Sequence, residues 1–384
     1  MVSGTEGGVN TRANSPDVRR ASSRTADTDD TFSPMRYGPV VAGVVSAVLF
    51  GTAAPLSKIL LTRLSQFQLA GLLYLGAGLA MLPFVVLQQR KSERKRVDRK
   101  NALRLGAAVL FGGCLGPVFL LLGLASARAA SVSLWLNLEL AATAVLGFLF
   151  FRDHLDAFGW LGVGGALLGG VLVTISEGSA GVLPALFVAL ACVCWGLDNN
   201  FTALIDAFTP QETTLAKGLI AGAVNSAIGV LMVGRLPAVD SGLAAIALGA
   251  LCYGGSIVLF ITSAQRIGAA RGQILFASGP FFGMLFSFVL LSERPSWLQG
   301  AAVVVLLASI ALMLRGRHAH HHIHGPMVHI HAHRHDDLHH THTHAGASAD
   351  LTHSHGHTHE ALEHEHAHVP DLHHRHSHGG RHSQ

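Results

Sequence analysis

Charged residues are scarce in this chain. Only 13% of its 384 residues are Asp, Glu, Lys or Arg, whereas 50% are hydrophobic. A soluble protein of this size needs far more charge to cover its surface, so a soluble globular fold is excluded. The formal net charge is only +4, and the positive residues lie between apolar runs, so no nucleic-acid partner is expected.

The sequence also has few residues that could form disulfides, a metal centre or a catalytic site within its apolar part. Its four cysteines, Cys114, Cys192, Cys194 and Cys252, all fall inside apolar runs and are expected to be small core residues. It contains neither a nucleophile elbow nor a phosphate-binding loop. We therefore expect that the chain is not an enzyme and requires no cofactor.

Long apolar segments, in contrast, recur from about residue 37 to residue 314. Each is long enough to cross about 30 Å of hydrocarbon as a helix. The sequence therefore predicts an all-α polytopic membrane protein with ten transmembrane helices. The predicted spans cover about 38–60, 67–88, 104–125, 130–151, 157–176, 183–205, 213–234, 242–264, 269–291 and 297–315.

Lysine and arginine in the short connections predict the orientation of these spans. The second connection, Gln89–Leu103, carries seven Lys or Arg among fifteen residues, which is typical of a cytoplasmic loop. With three further arginines, the connections on the same side reach ten positive charges, and those on the opposite side have four. We therefore predict a multi-pass protein of the cytoplasmic (inner) membrane with both termini in the cytoplasm.

The apolar part of the chain repeats itself. Phe50–Leu56 in span 1 aligns with Trp195–Phe201 in span 6, and Gly147–Asp153 after span 4 aligns with Phe286–Glu293 near the end of span 9. Each half holds five spans, and because five is odd, the second half is inverted relative to the first. The predicted parts are a disordered tail (1–35), the first repeat (36–177), the second repeat (178–315) and a disordered histidine-rich tail (316–384).

One carboxyl group, that of Glu139, lies near the middle of the fourth span. A charge at the bilayer centre costs roughly 2.5–3.5 kcal/mol on insertion scales, so it is rarely left there without a task or a partner. At 100° per residue, Ser131, Trp135 and Thr143 share the face of Glu139, and Asn137 lies opposite. A functional site and a simple pairing with another helix are both open, and we favour the functional site.

Other spans carry polar or helix-breaking residues at comparable depth. Span 6 has three consecutive polar side chains, which cannot all face one way, so at least one is expected to bond to a neighbouring helix. Span 9 has a Gly-Pro pair, which predicts either a simple kink or a break at a binding site. A lysine near the outer end of span 1 either snorkels to the interface or pairs across the pathway. The candidate substrate-binding or proton-coupling residues are Glu139, Asp198, Asn199, Asn200, Lys58, Trp135, Thr143, Gly279 and Pro280, and weaker candidates are Lys217, Asn225 and Gln273.

Short motifs occur in a fixed order along the ten spans. They are Phe50-Gly51…Lys58, GLASARAASV at Gly123–Val132, Leu138-Glu139…Phe151–Leu155, Trp195-Gly196 and Leu290–Glu293. With the duplication, this pattern resembles the drug/metabolite transporter superfamily, specifically proteins with two EamA-type repeats, over about residues 38–315. The resemblance implies export or exchange of small metabolites by alternating access, often driven by proton or ion gradients.

Two positions depart from the pattern of that family. Asp153 stands where the family usually has glutamate, which is a conservative change. Leu140 stands where a proline commonly follows the glutamate of span 4, so we expect span 4 to be straighter than in the family.

Histidine is concentrated in the C-terminal tail, where 25 of the 26 histidines follow residue 317. Many alternate with other residues, and neutral imidazole is a good ligand for Zn, Ni, Cu and Co. The tail either feeds or senses an exported metal, buffers metal near the membrane, or is a tolerated low-complexity segment. The predicted ligands are His329, His331, His333, His335, His353, His355, His357, His359, His373, His374, His376 and His378.

Together, these features predict a secondary-active transporter that exports a small metabolite or a cation by alternating access and carries a metal-binding cytoplasmic tail. One alternative is a divalent metal (Ni/Co/Zn) exporter that the tail supplies or senses. Another is a membrane-anchored metal-binding or sensing protein that transports nothing. The expected partners are the lipid bilayer, a small-molecule or ion substrate and transition-metal ions, and a homodimer is left open.

Overall fold

The computed structural model describes residues 37–89, 98–151, 155–205 and 207–315, and four short segments of the C-terminal tail. The predicted N-terminal tail lies outside the described residues. Fourteen α-helices occupy the described part of residues 37–315. They are α1 (Tyr37–Leu60), α2 (Gln66–Gln89), α3 (Arg99–Ala108), α4 (Gly116–Ser126), α5 (Ala129–Trp135), α6 (Leu138–Phe150), α7 (Ala157–Glu177), α8 (Val182–Ala203), α9 (Pro210–Val233), α10 (Val239–Leu248), α11 (Ser256–Ile267), α12 (Ala269–Phe276), α13 (Gly279–Leu290) and α14 (Trp297–Arg315).

The helices reproduce the predicted spans. Among the described residues, nine helical segments are long and apolar enough to cross a membrane, and α14 contributes a tenth, shorter apolar helix. The limits of these segments lie within about five residues of the limits expected from hydropathy. The prediction of a polytopic helical membrane fold is confirmed for this part of the chain.

Several helices begin or end at residues that suit a helix terminus. The carboxylate of Asp98 accepts the Asn101 amide at 2.8 Å at the start of α3, and Asp156 accepts the Gly159 amide at 2.8 Å at the start of α7. Thr209 forms a capping box with the third residue of α9. Short polar side chains of this kind satisfy the free amides of a first turn, so these residues fix where the spans begin.

Four of the spans are interrupted, at matching places in the two halves. Span 3 contains the π-helical turn Val109–Leu115 between α3 and α4, and span 8 contains the π-helical turn Gly249–Gly255 between α10 and α11. Span 4 breaks at Leu136–Asn137 between α5 and α6, and span 9 breaks at Ala277–Ser278 between α12 and α13. Both halves therefore have the same pattern of continuous and discontinuous spans.

The break in span 4 forms without a proline. The Asn137 side-chain amide donates to the Leu134 carbonyl at 3.0 Å, and in span 9 the Ser278 hydroxyl donates to the Leu275 carbonyl at 2.6 Å. In each span, the second residue of the break supplies a hydrogen bond to the carbonyl three residues earlier, which has lost its usual helical donor. Span 4 therefore breaks although Leu140 stands where a proline is common in the family, and whether it is straighter than in the family stays a prediction.

The helices of the two halves pack in equivalent pairs. Span 2 (α2) packs against span 7 (α9), and span 5 (α7) packs against span 10 (α14). Span 1 (α1) packs against α11 and α13, and span 6 (α8) correspondingly packs against α4 and α6. Each contact thus has a counterpart with the two halves exchanged, which is the relation that an inverted repeat predicts.

The α2–α9 pair approaches so closely that its crossing point requires glycine. A Cβ atom at Gly218 would lie 2.5 Å from the Cα atom of Gly78 and 2.7 Å from the Tyr74 carbonyl oxygen. Backbone atoms cannot move aside as a flexible side chain can. Small residues therefore set the distance between these two spans, as is common for helices packed in membranes.

Parts of the histidine-rich tail form strands. β1 (His318–His324) pairs antiparallel with β4 (Leu362–His368), and β2 (Met327–His333) pairs antiparallel with β3 (His353–His359). The expectation of a fully disordered tail, which rested on composition, thus differs from the structure at these four segments. The physical reason lies in the alternation of histidine with other residues, because its period of two is that of a strand.

The α2–α9 crossing yields a stability prediction. Gly218→Ala should destabilise the protein by about 1–3 kcal/mol, because the added methyl group overpacks a backbone contact. Its thermal midpoint in detergent, followed by size-exclusion chromatography after heating, should fall below that of the unaltered chain. Gly164→Ala is the matched control, since a Cβ atom there meets nothing within 4 Å. Equal midpoints for the two variants would contradict this account of the crossing.

Candidate functional site

A polar cluster lies where α6 packs against α8, directly after the break in span 4. Glu139 is in the first turn of α6. Asn199 of α8 donates to Glu139 Oε1 at 3.0 Å and to Thr143 Oγ1 at 3.2 Å. The next residue, Asn200, donates to the Thr143 carbonyl at 3.0 Å and to the Gly196 carbonyl at 2.8 Å. Two of the three consecutive polar side chains of span 6 therefore bond to α6.

The third polar side chain, that of Asp198, bonds to different partners. Lys217 Nζ of α9 donates to its two carboxylate oxygens at 2.9 and 2.8 Å, and the Thr202 hydroxyl donates to one of them at 2.9 Å. Asp198 is 6% exposed, and the side chain of Lys217 is 17% exposed. A Cβ atom at Gly112 would lie 1.9 Å from Asp198 Oδ2, so the pair is enclosed against a glycine of the π-helical turn in span 3.

The π-helical turn of span 3 is held by side chains from three other spans. The Gly112 carbonyl accepts hydrogen bonds from the Tyr74 hydroxyl at 2.5 Å and from Trp195 Nε1 at 3.0 Å. The Asn225 side-chain amide donates to the carbonyls of the next two residues at 3.3 and 3.2 Å. The turn exposes carbonyl oxygens that a regular helix would use internally, and α2, α8 and α9 supply their donors.

Glu139 and Asp198 therefore have different electrostatic surroundings. Among the described residues, Asp198 has a cationic side chain within 4.0 Å, whereas Glu139 has none. The described residues also contain no group of three or more His, Cys, Asp or Glu residues that could hold a metal ion. The cluster thus offers one carboxyl group without a cationic partner, which suits a single positive charge or a proton.

The remaining candidates lie in other contacts. Trp135 is fully buried, and its Nε1 donates to the Gly170 carbonyl of α7 at 3.1 Å. The expected continuous face from Ser131 through Trp135 to Glu139 does not form, because the helix breaks between Trp135 and Glu139. Gly279 and Pro280 open α13 directly after the break in span 9 and pack against α1. Lys58 bonds to the end of α4.

Sequence reasoning gave too little weight to Lys217. It lies inside an apolar span, which was a signal that it needs a buried partner. The sequence alone could not pair it with Asp198, because the rotation of one helix relative to another is set by packing. The structure brings Glu139, Thr143, Asn199 and Asn200 together as one cluster. Asp198 lies on the same helix α8 and pairs with Lys217 of α9.

The backbone pairing of the tail also arranges part of the predicted metal set. His329, His331 and His333 on β2 lie opposite His357, His355 and His353 on β3, and His359 lies opposite Met327. His335, His373, His374, His376 and His378 lie outside the described residues, as does Asp153 of the sequence motif after span 4. Metal binding by the tail stays a prediction.

Comparison with known families identifies the helical part of the chain. The sequence pattern of the EamA-like transporter family matches residues 38–175 and again residues 182–315. The chain belongs to the EamA-like transporter family. This confirms the resemblance to proteins with two EamA repeats. EamA proteins are transporters rather than enzymes, so this chain is a multi-pass membrane transporter that contacts the lipid bilayer and carries a small-molecule substrate.

Two individual proteins are similar to this chain. A protein of Methanothermobacter thermautotrophicus named "uncharacterized transporter" is 25% identical over 297 residues, which cover 70% of this chain and 84% of that protein. A solved crystal structure superposes with a TM-score of 0.50 and 20% identity over 72% of this chain and 96% of the other. At that identity, the similarity shows a shared fold alone.

The Asp198–Lys217 pair yields a second prediction. Asp198→Asn or Lys217→Met alone should lower the free energy of unfolding by about 3–5 kcal/mol, because each leaves a buried charge without its partner. The double variant Asp198→Asn/Lys217→Met should lose less than the sum, which thermal unfolding in detergent would measure. Asp240→Asn breaks an exposed pair with Arg63 and should change stability by no more than about 1 kcal/mol. Additive losses in the double variant would show that the pair is not coupled.

Proposed function

We propose that this EamA-family transporter is a secondary-active exporter that binds a small cationic substrate, or a coupling proton, at Glu139. The observation that carries the proposal is the position of this carboxyl group, which lies without a cationic partner beside the break in span 4. Asn199 holds one of its oxygens at 3.0 Å and is itself exposed, so a ligand could reach the pair. Inverted-repeat transporters bind substrates at such interrupted helices near the midplane.

The packing of the two broken spans supports alternating access. The N-terminal half of span 4 (α5) packs against the C-terminal half of span 9 (α13). The symmetry-equivalent halves are α6 and α12, and among the described residues they make no contact of similar extent. An inverted repeat can close at one end and open at the other by exchanging these two contacts.

The proposed direction follows from the predicted orientation. The positive connection Gln89–Leu103 assigns the α6 end of span 4 to the cytoplasm, and Glu139 begins that half. A carboxyl group on the less closed, cytoplasmic side can take up a substrate from the cell interior. Export is therefore the direction that the arrangement favours.

A nickel, cobalt or zinc exporter is the second candidate, and the histidine-rich tail is the observation that favours it. Imidazoles could deliver an ion to the membrane part or report its concentration. The described helices favour an organic cation instead, because they contain no group of three or more His, Cys, Asp or Glu residues around Glu139 that could hold a metal ion. In the first proposal, the tail binds metal as a buffer or sensor. Family membership favours transport over the third reading, a membrane-anchored sensor that transports nothing.

The central test is Glu139→Gln. Cells that express the full chain should retain less of one cationic metabolite than empty cells, and Glu139→Gln should abolish this difference because the amide cannot carry the charge. Mass spectrometry of cell extracts measures amines, amino acids, Ni, Co and Zn in the same samples. Asp240→Asn, which alters an exposed carboxylate, is the matched control and should export normally. Unchanged export in Glu139→Gln at equal expression would remove Glu139 from the mechanism.

A second variant separates the tail from the membrane part. The full-length chain with the twelve predicted histidine ligands changed to glutamine should lose binding of Zn, Ni and Co in equilibrium dialysis and keep Glu139-dependent export. If instead the cells lose export of one metal in this variant and also in Glu139→Gln, the metal-exporter alternative replaces the first proposal. Unchanged metal binding would place the metal site elsewhere.

A further inference from the structure

A second polar cluster lies at the opposite end of span 4 from Glu139, where span 3 turns into span 4. Lys58, at the end of α1, directs its ammonium group to the C-terminus of α4. Its Nζ donates to the carbonyls of Leu124, Ala125 and Ala127 at 2.5, 3.2 and 2.9 Å. A lysine at this place satisfies carbonyls that the helix leaves free and opposes the negative end of the helix dipole.

Glu293 performs the complementary task at the start of α5. Its two carboxylate oxygens accept the backbone amides of Ala129 and Ala130 at 2.7 and 2.9 Å. An anion at a helix N-terminus is favourable for the same electrostatic reason that a cation is favourable at the C-terminus. The connection from Leu124 to Ala130 is therefore held by Lys58 from the first half of the chain and by Glu293 from the second half.

Further contacts hold the same connection, to Glu177 of the first half and to Arg294 and Gln299 of the second half. Arg128 donates to Glu177 at 2.5 Å and to the Arg294 carbonyl at 3.3 Å. The Ser131 hydroxyl donates to Glu177 at 2.5 Å and accepts from the Gln299 side-chain amide at 2.9 Å. We call the five side chains of Lys58, Arg128, Glu177, Glu293 and Gln299, with the connection they hold, the clamp.

The helix beneath the clamp is completely closed. Side chains along α5, including Val132, Leu134 and Trp135, have no exposed surface. A Cβ atom at Gly283 of α13 would lie 2.7 Å from Ser133 Oγ and 2.8 Å from the Gly51 carbonyl oxygen. The clamp thus covers a seam of α1, α5 and α13 that has no room for a ligand.

The clamp is not repeated in the other half of the chain at the position of Lys58. The alignment of Phe50–Leu56 with Trp195–Phe201 sets Lys58 against Ala203, which has no charge. Among the described ion pairs, Arg128–Glu177 belongs to the clamp end, and no matching pair lies at the opposite end of span 9. Among the described residues, the contacts of Lys58 and the Arg128–Glu177 pair are therefore present at one end only.

We propose that the clamp is the gate on the Lys58 side of the membrane and that it must release for a ligand to leave there. The proposal rests on alternating access as set out above. Release of Lys58 and Glu293 frees both ends of the 124–130 connection at once. Helix α5 can then swing about the break at Leu136–Asn137, which ends just before Glu139, and open the seam against α13.

The test needs no known substrate, because it measures opening of the seam directly. Ser133→Cys is a suitable reporter, since Ser133 is buried beneath the clamp and its hydroxyl has no hydrogen-bond partner. Membrane-impermeant maleimide is applied to intact cells and to inverted vesicles that contain the full chain with this change. The chain with its four native cysteines alone supplies the background.

Lys58→Met and Glu293→Gln, each in the reporter chain, should raise the labelling rate from the Lys58 side by about tenfold, which corresponds to ~1.4 kcal/mol. Arg63→Gln is the matched control, because Arg63 forms an exposed ion pair with Asp240, with side chains 67% and 66% exposed. It should leave the rate unchanged. The labelled side also reports the orientation of the protein.

A static role for the clamp gives a different result. In that case Lys58→Met lowers the thermal midpoint, and labelling in both variants stays at the rate of Arg63→Gln, which overturns the proposal. If Lys58→Met does not fold, Glu293→Gln decides alone, since the amide preserves the shape, removes the charge and leaves one acceptor oxygen for the two amides at the α5 terminus. The labelling experiment measures access to the reporter cysteine and not transport. Its result therefore does not depend on whether Glu139 binds the substrate.

Discussion

The hydrocarbon interior of a membrane offers no hydrogen-bond partner to a peptide group, and this constraint governs every irregular feature of the fold. A span that departs from the α-helix exposes amides and carbonyls, which other parts of the protein must satisfy. Asn137 and Ser278 do so at the two breaks, and Tyr74 and Trp195 do so at the π-helical turn of span 3. The interruptions are therefore specific, built features at fixed positions.

The two halves share a scaffold and differ in polarity. Gly51 of span 1 and its counterpart Gly196 of span 6 both let a broken span approach closely, α13 in one case and α6 in the other. After these glycines the two contacts differ. In the α1–α13 contact, Ala53, Ala54 and Pro55 occupy the positions that correspond to Asp198, Asn199 and Asn200 in the α8–α6 contact. At these three positions only the second contact carries polar side chains, which concentrates the candidate site on one side of the pseudo-symmetric structure.

The length of the apolar runs was enough to predict the spans, because it reports directly on the thickness of the bilayer. It also singled out Glu139, since an isolated carboxyl group in an apolar run is conspicuous. The break beside it was missed because the argument considered proline alone. A small polar residue that can bond to the carbonyl three residues earlier, such as Asn137 or Ser278, was the available signal.

The contacts of Lys58 and Glu293 could not have been predicted from a single sequence. Lys58 bonds to a carbonyl 66 residues away, and Glu293 caps an amide 164 residues away. Which residues meet at such separations depends on how helices pack, and each helix by itself reveals only which side is polar. The interface between the halves is for this reason the part of the structure that hydropathy leaves undetermined.

The relative strengths of these contacts indicate which parts of the molecule can move. Breaking the buried Asp198–Lys217 pair costs about 3–5 kcal/mol, so α8 and α9 should move together. A charge at a helix terminus contributes only about 0.3–2 kcal/mol, so the contacts of Lys58 and Glu293 can open and close within a transport cycle. The break at Leu136–Asn137 lies between these regions and lets α5 move while α6 stays bonded to Asn199 and Asn200. The helix-terminus contacts of Lys58 and Glu293 are thus weaker than the buried ion pair beside the proposed binding site.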